Sequence, residues 1–91
     1  MSVKVKVPTQ LRTLTDGASE ISGAGDDIGS LIKDLDARHP GLGDRLLDDS
    51  GQLRRFVNIY VNDEDVRFLD GLGTTLSEGA QVSIIPAVAG G

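Results

Sequence analysis

Asp27-Ile28-Gly29-Ser30-Leu31-Ile32-Lys33-Asp34-Leu35-Asp36-Ala37-Arg38-His39-Pro40-Gly41 is the stretch on which the fold turns. Ile28, Leu31, Ile32 and Leu35 recur at i, i+3, i+4 and i+7, one apolar stripe down one side of a helix. Asp26 or Asp27 supplies the N-cap, and Ser30, Lys33, Asp34 and Asp36 fall on the outer face. Arg38 and His39 stand in the last turn, where cations oppose the macrodipole, and Pro40-Gly41 ends the helix. Burying the four apolar side chains contributes about 6–12 kcal/mol before conformational entropy is subtracted.

On the N-terminal side, Val3, Val5 and Val7 alternate with Lys4 and Lys6 up to Pro8, the period of a strand with one buried face. Thr9 to Ala18 reads as a hairpin connection with a turn signal at Asp16-Gly17. Ser19 to Ser22 returns as a second strand before Gly23-Ala24-Gly25 breaks the pattern.

On the C-terminal side, Leu42, Leu46 and Leu47 predict a short helical turn, and Asp48 to Gln52 a polar loop. Phe56 to Val61 resumes strand character, with Val57, Ile59 and Val61 on one face and Phe56, Asn58 and Tyr60 on the other. Asn62 to Asp65 is a polar turn, Val66 to Phe68 a brief strand, and Thr75 to Glu78 a short helix. Gln81 to Ile85 is the last strand, closed by Pro86. Strands grouped on both sides of one amphipathic helix predict an α+β fold, a mixed sheet of about five strands with the helix packed across it. Residues 1–86 form the domain and 87–91 a flexible tail ending in Gly90-Gly91.

The chain has 91 residues, enough for one core that folds without staples. One Tyr, two Phe and no Trp make a deep aromatic-lined pocket an unlikely design. A formal net charge of −5 disfavours nucleic acid and anionic membrane and favours a basic protein partner. With no cysteine there is no disulfide, no thiolate zinc site and no cysteine-ligated iron–sulfur cluster. The N-terminus lacks a secretory pattern, and no apolar run reaches the length of a membrane span, so the expected location is cytoplasmic.

No catalytic residue and no metal ligand is assigned. Asp63, Glu64 and Asp65 evoke a calcium loop, but Arg67 stands where an acceptor belongs. His39, the single histidine, fits a helix end better than a catalytic base. Gly23-Ala24-Gly25 and Gly71-Leu72-Gly73 do not continue into a phosphate-binding motif. The chemistry is instead expected at the end of the chain. Val88, Ala89 and Gly90 can thread a channel too narrow for larger residues, presenting the Gly91 carboxylate to another protein's active site. Six extended residues from Pro86 reach about 20 Å. Phe56, Tyr60 and Ile85 are candidates for an outward docking patch; the alternative is that Phe56 and Ile85 lie under the loop at 42–54. Asp63, Glu64 and Asp65 could steer a basic partner.

Strands on both sides of one helix, Leu76-x-x-Gly79-x-x-Val82-x-Ile84-x-Pro86 and the terminal Gly90-Gly91 together resemble the ubiquitin-like β-grasp sulfur carriers of the ThiS and MoaD family, over essentially the whole chain. Phe56 to Phe68 and Ile85 to Gly91 look most like the cysteine-biosynthesis branch of that family. Where many members carry an acidic residue before the last strand, this chain has Ala80.

The resemblance implies a carrier that is not itself an enzyme and binds no cofactor. An E1-like adenylyltransferase of the MoeB, MoeZ or ThiF type would use ATP and Mg²⁺ to adenylate Gly91, and sulfur transfer would yield a thiocarboxylate. The implied acceptor is a PLP-dependent cysteine synthase, with a metalloprotease releasing the product. A protein modifier that forms isopeptide bonds, a molybdopterin-synthase small subunit and a noncovalent β-grasp module remain open alternatives.

Overall fold

The computed structural model describes residues 2–55 and 57–86. Its sheet comprises β1 (Ser2–Lys6), β2 (Glu20–Ala24), β3 (Val57–Val61), β4 (Glu64–Asp65) and β5 (Gln81–Pro86), in the spatial order β2-β1-β5-β3-β4. The two central strands, β1 and β5, run parallel, whereas the β1–β2, β5–β3 and β3–β4 pairs are antiparallel. Helix α1 (Ile28–Arg38) covers one face, and α2 (Leu42–Leu46) follows the turn at Gly41. Gly41 has φ 97°, which a glycine adopts without steric cost.

The period-2 and 3.6 patterns meet in one core. Val3, Val5 and Val7 from the first strand region, Val57, Ile59 and Val61 from β3, and Val82 and Ile84 from β5 pack against Ile28, Leu31, Ile32 and Leu35 of α1. Leu42, Leu46, Val66 and Leu76 close its ends, all buried. Asp27 is the N-cap: its carboxylate accepts the Ser30 N–H at 2.8 Å.

Four local expectations change. The Thr9–Thr15 connection is a 3₁₀ helix rather than a plain hairpin loop, anchored by buried Leu11 and Thr15. Strand β2 continues through Gly23 and Ala24, because a side chain at Gly23 would fall 2.7 Å from the Leu31 and Leu35 methyl groups; the glycine lets helix and sheet approach inside the strand. Residues 66–68 are not a strand. Pairing with β3 ends at Asp65, whose carboxylate accepts the Arg67 N–H and turns the chain into a 3₁₀ helix at Val66–Phe68. Thr75 to Glu78 is not helical either: Thr75 bridges to Asp27, Leu76 N–H bonds to the Asp26 carbonyl, and the 3₁₀ turn lies earlier, at Gly71–Gly73.

Candidate functional site

The site of interest is the root of the C-terminal segment. β5 lies inside the sheet, yet its two neighbours hold different lengths of it. β1 pairs only along Gln81–Ser83; Val7 still donates to the Ser19 carbonyl on the β2 side, and Pro8 ends the strand region. β3 continues alone, pairing Ile84 with Ile59, Ile85 with Asn58 and Pro86 with Val57. The last three described residues of the strand are therefore fixed by β3 alone, and Pro86 contributes no amide hydrogen to that edge.

What steadies β3 at this end is Arg67. Its guanidinium donates to the Arg54 carbonyl at 2.8 Å, to the Arg55 carbonyl at 3.5 Å and to the Asn58 side-chain oxygen. Asn58 is the residue opposite Ile85, so one planar fork ties the approach to β3 to the strand position that holds the root. Arg54 extends the brace, donating through Nε to the carbonyl of Asp44 in α2, 2.8 Å away. Sequence reasoning treated Arg67 only as the residue that spoils a calcium loop; its spacing from Arg54 carries no periodic signal.

On the face of the sheet opposite α1, the register places Ile85 across from Asn58, and Tyr60 across from Ser83 on one side and Asp65 on the other. Tyr60 and Ile85 are diagonal neighbours on one face, within reach of each other's long side chains. Ile85 is 46% exposed and Tyr60 half-buried. The alternative in which the 42–54 loop covers Ile85 is thus not what the fold does. Phe56, the third docking candidate, lies outside the described residues, as do Val88, Ala89, Gly90 and Gly91. Phe68, 88% exposed, and Leu69, 41% exposed, are apolar surface; the sequence reading placed Phe68 in a strand.

The acidic stretch is a turn. Asn62 and Asp63 both have positive φ, 50° and 73°, and join β3 to β4 as a tight two-residue connection. Asn62 also locks the start of β5, accepting the Gln81 N–H at 3.1 Å and donating its own N–H to the Gln81 carbonyl at 2.9 Å. Among the described residues no group of three or more His, Cys, Asp or Glu side chains is placed to hold a metal ion.

Three carboxylates sit below their ordinary pKa, each at a scaffold joint. Asp27 is lowered by the Ser30 amide it caps, Asp34 by the Ala24 amide of β2 and then by Arg38, and Asp48 by Ser50 and the Gln52 amide. Asp34 fastens α1 to the end of β2, accepting from Ala24 N–H at 2.8 Å and from Arg38 Nε at 2.7 Å.

Comparison with known proteins agrees with this architecture. The sulfur carrier protein CysO of Mycobacterium tuberculosis is 54% identical, with all of both chains covered. The crystal structure of M. tuberculosis CysO superposes with a TM-score of 0.91 at 52% identity, covering 94% of this chain and 99% of the other. That of the Amycolatopsis orientalis BexX/CysO complex gives 0.92 at 45% identity, covering 98% and 99%. A profile of the ThiS family matches residues 5–91, and with the β-grasp sheet and whole-length identity already described, the chain belongs to the ThiS family.

Proposed function

We propose that this chain is a sulfur carrier of the CysO type, serving cysteine biosynthesis, and that its reactive group is the Gly91 carboxylate. The observation that carries the reading is the 54% identity to a sulfur carrier over the full length of both chains. The scaffold suits it: the strand that leads to the end of the chain runs inside the sheet, and Arg67 braces its β3 neighbour at Asn58, opposite Ile85.

The chemistry follows from the carboxylate. An α-carboxyl group titrates near 3.5, so at neutral pH it is an anion and a poor electrophile. Activation by an E1-like adenylyltransferase lets a carboxylate oxygen attack the α-phosphorus of ATP; the bond to pyrophosphate breaks and an acyl-adenylate forms. Sulfide then attacks the acyl carbon, AMP departs with the electron pair of the C–O bond, and a thiocarboxylate results without net oxidation or reduction. The thiocarboxylate sulfur would form its new C–S bond at the β-carbon of an activated serine held by a PLP-dependent synthase, the serine's oxygen substituent departing with the electron pair. The cysteine so formed would stay joined to the Gly91 acyl carbon, and hydrolysis of that bond by a metalloprotease would release it and regenerate the carboxylate. Phe56, Tyr60 and Ile85 are the proposed docking residues, and Val88, Ala89 and Gly90 the segment that enters the partner's channel. The chain acts as co-substrate rather than enzyme, in the cytoplasm. No helix among the described residues is long and apolar enough to cross a membrane.

The test is Gly91→Phe. A bulky side chain at the reacting residue should abolish adenylation while leaving the thermal midpoint of the domain unchanged. Adenylation at the wild-type rate would refute the assignment.

A further inference from the structure

The net charge of −5 is unevenly distributed, and the exception lies at the tail root. Four of the six arginines gather there. Arg54 and Arg55 share an open cleft with Asp48 and Val57, the residue paired with Pro86. Arg45 shares the neighbouring cleft with Asp44 and Arg54. Arg67 reaches across to the carbonyls of Arg54 and Arg55. Against these four stand two carboxylates in the same clefts, Asp44 and Asp48; Asp48 is held by Ser50 and the Gln52 amide and also feels the charge of Arg54, which leaves the arginines in excess.

The way the arginines are held matters as much as their number. The one ion pair among the described residues, Arg38–Asp34, is elsewhere, on α1. Arg54 and Arg67 are positioned by neutral acceptors, backbone carbonyls and the Asn58 amide oxygen, which fix the guanidinium groups without cancelling their charge. Arg45 and Arg55 are exposed. The adjoining cleft between α1 and α2 has the other sign: it shares Asp44 and Asp48 with the arginine clefts and adds Asp36 and Asp49, against Lys33 alone.

We infer that Arg45, Arg54 and Arg55, braced by Arg67, form a cationic collar around the tail root that docks on an acidic surface at the mouth of the activating enzyme's channel. The inference rests on the sulfur-carrier reading and adds the chemistry of its partner. It also reverses, for this face, the expectation of a basic partner drawn from net charge. A charge placed at the root steers every encounter toward the orientation in which the tail points into the partner, and it acts mainly on association.

The experiment is ATP–pyrophosphate exchange by the adenylyltransferase from the same cell, with the carrier as varied substrate. Arg55→Glu is compared with Lys33→Glu, which makes the same formal charge change on the α1 side. The Arg45→Glu/Arg55→Glu double variant gives the full effect and leaves the bracing bonds of Arg54 and Arg67 in place. Arg55→Glu should raise KM several-fold and the double variant on the order of tenfold, with kcat and thermal midpoint unchanged; Lys33→Glu should leave KM unaltered. The wild-type KM should itself rise with salt, and that of the double variant should rise less. Equal effects of Arg55→Glu and Lys33→Glu, or an unchanged KM in the double variant, would overturn the collar. No exchange with the wild-type chain would instead count against the sulfur-carrier reading.

Discussion

Gly25 is the position at which the packing of helix against sheet can be tested most sharply. It follows β2 and precedes the cap of α1, and a Cβ built there would lie 2.6 Å from the Leu31 amide nitrogen, 2.9 Å from Leu31 Cα and 3.0 Å from the Ser30 carbonyl carbon. Comfortable carbon contacts lie near 3.5–4.0 Å, so the first turn of α1 must retreat by somewhat under about 1 Å. That turn is fixed by Asp27, which accepts both the Ser30 and the Leu31 amides, at 2.8 and 3.0 Å. Gly25→Ala therefore collides with backbone that cannot rotate away. Overpacking of this kind costs about 1–3 kcal/mol, partly offset by the roughly 0.4–1 kcal/mol that alanine removes from unfolded-chain entropy. At mid-range values the net loss is about 1.3 kcal/mol, a thermal midpoint lower by about 5–10 °C in a domain of this size. Gly23→Ala is the internal comparison. Its Cβ would meet side chain and no backbone, the Leu31 and Leu35 methyl groups at 2.7 Å and Leu35 Cγ at 3.3 Å, which can shift where backbone cannot, so its loss should be smaller. Urea and thermal unfolding followed by circular dichroism would rank the two. A Gly25→Ala domain as stable as wild type, or more stable than Gly23→Ala, would refute the reasoning.

The depressed carboxylates of Asp27, Asp34 and Asp48 contribute stability that is present above their unfolded pKa near 3.9 and lost as pH falls through their lower folded values. The thermal midpoint should therefore hold between pH 7 and 5 and fall below about pH 4, less steeply in Asp34→Asn; an equal acid slope in that variant would contradict the assignment. Asp63→Gly should raise the midpoint by a few degrees, since φ 73° strains any side chain, and a lower midpoint would show the turn needs Asp63. Arg67→Ala should speed hydrogen exchange at the β3–β5 amides beyond Ser83 while leaving the β1–β2 amides protected; uniform exchange would deny its bracing role. Tyr60→Ser and Ile85→Ser should weaken binding to the activating enzyme without loss of fold, and unchanged affinity would exclude the patch.

Much of the scaffold was legible because it rests on periodicity. Val3, Val5, Val7 and Ile28, Leu31, Ile32, Leu35 are core positions by spacing alone, and burial follows the pattern. What periodicity could not carry was contact between distant segments. Gly23 reads locally as a breaker, yet it sits within a strand because α1 presses against it. Residues 64–68 read as turn then strand, whereas pairing ends at Asp65, whose side chain captures the Arg67 amide. The candidate site divides the same way. Tyr60 and Ile85 share a face by the alternation of strands, so they could be found from sequence. The arginines at 45, 54, 55 and 67 come together only through the fold, scattered as they are among loops and short elements.

The central claim concerns Gly91, and intact mass reads it directly. The chain would be incubated with ATP, Mg²⁺, a sulfide source and the E1-like adenylyltransferase of the same cell, beside a variant lacking Gly91. A gain equal to sulfur replacing one oxygen, confined to the full chain, is the predicted result. An unchanged mass in the presence of demonstrably active enzyme would contradict the sulfur-carrier reading.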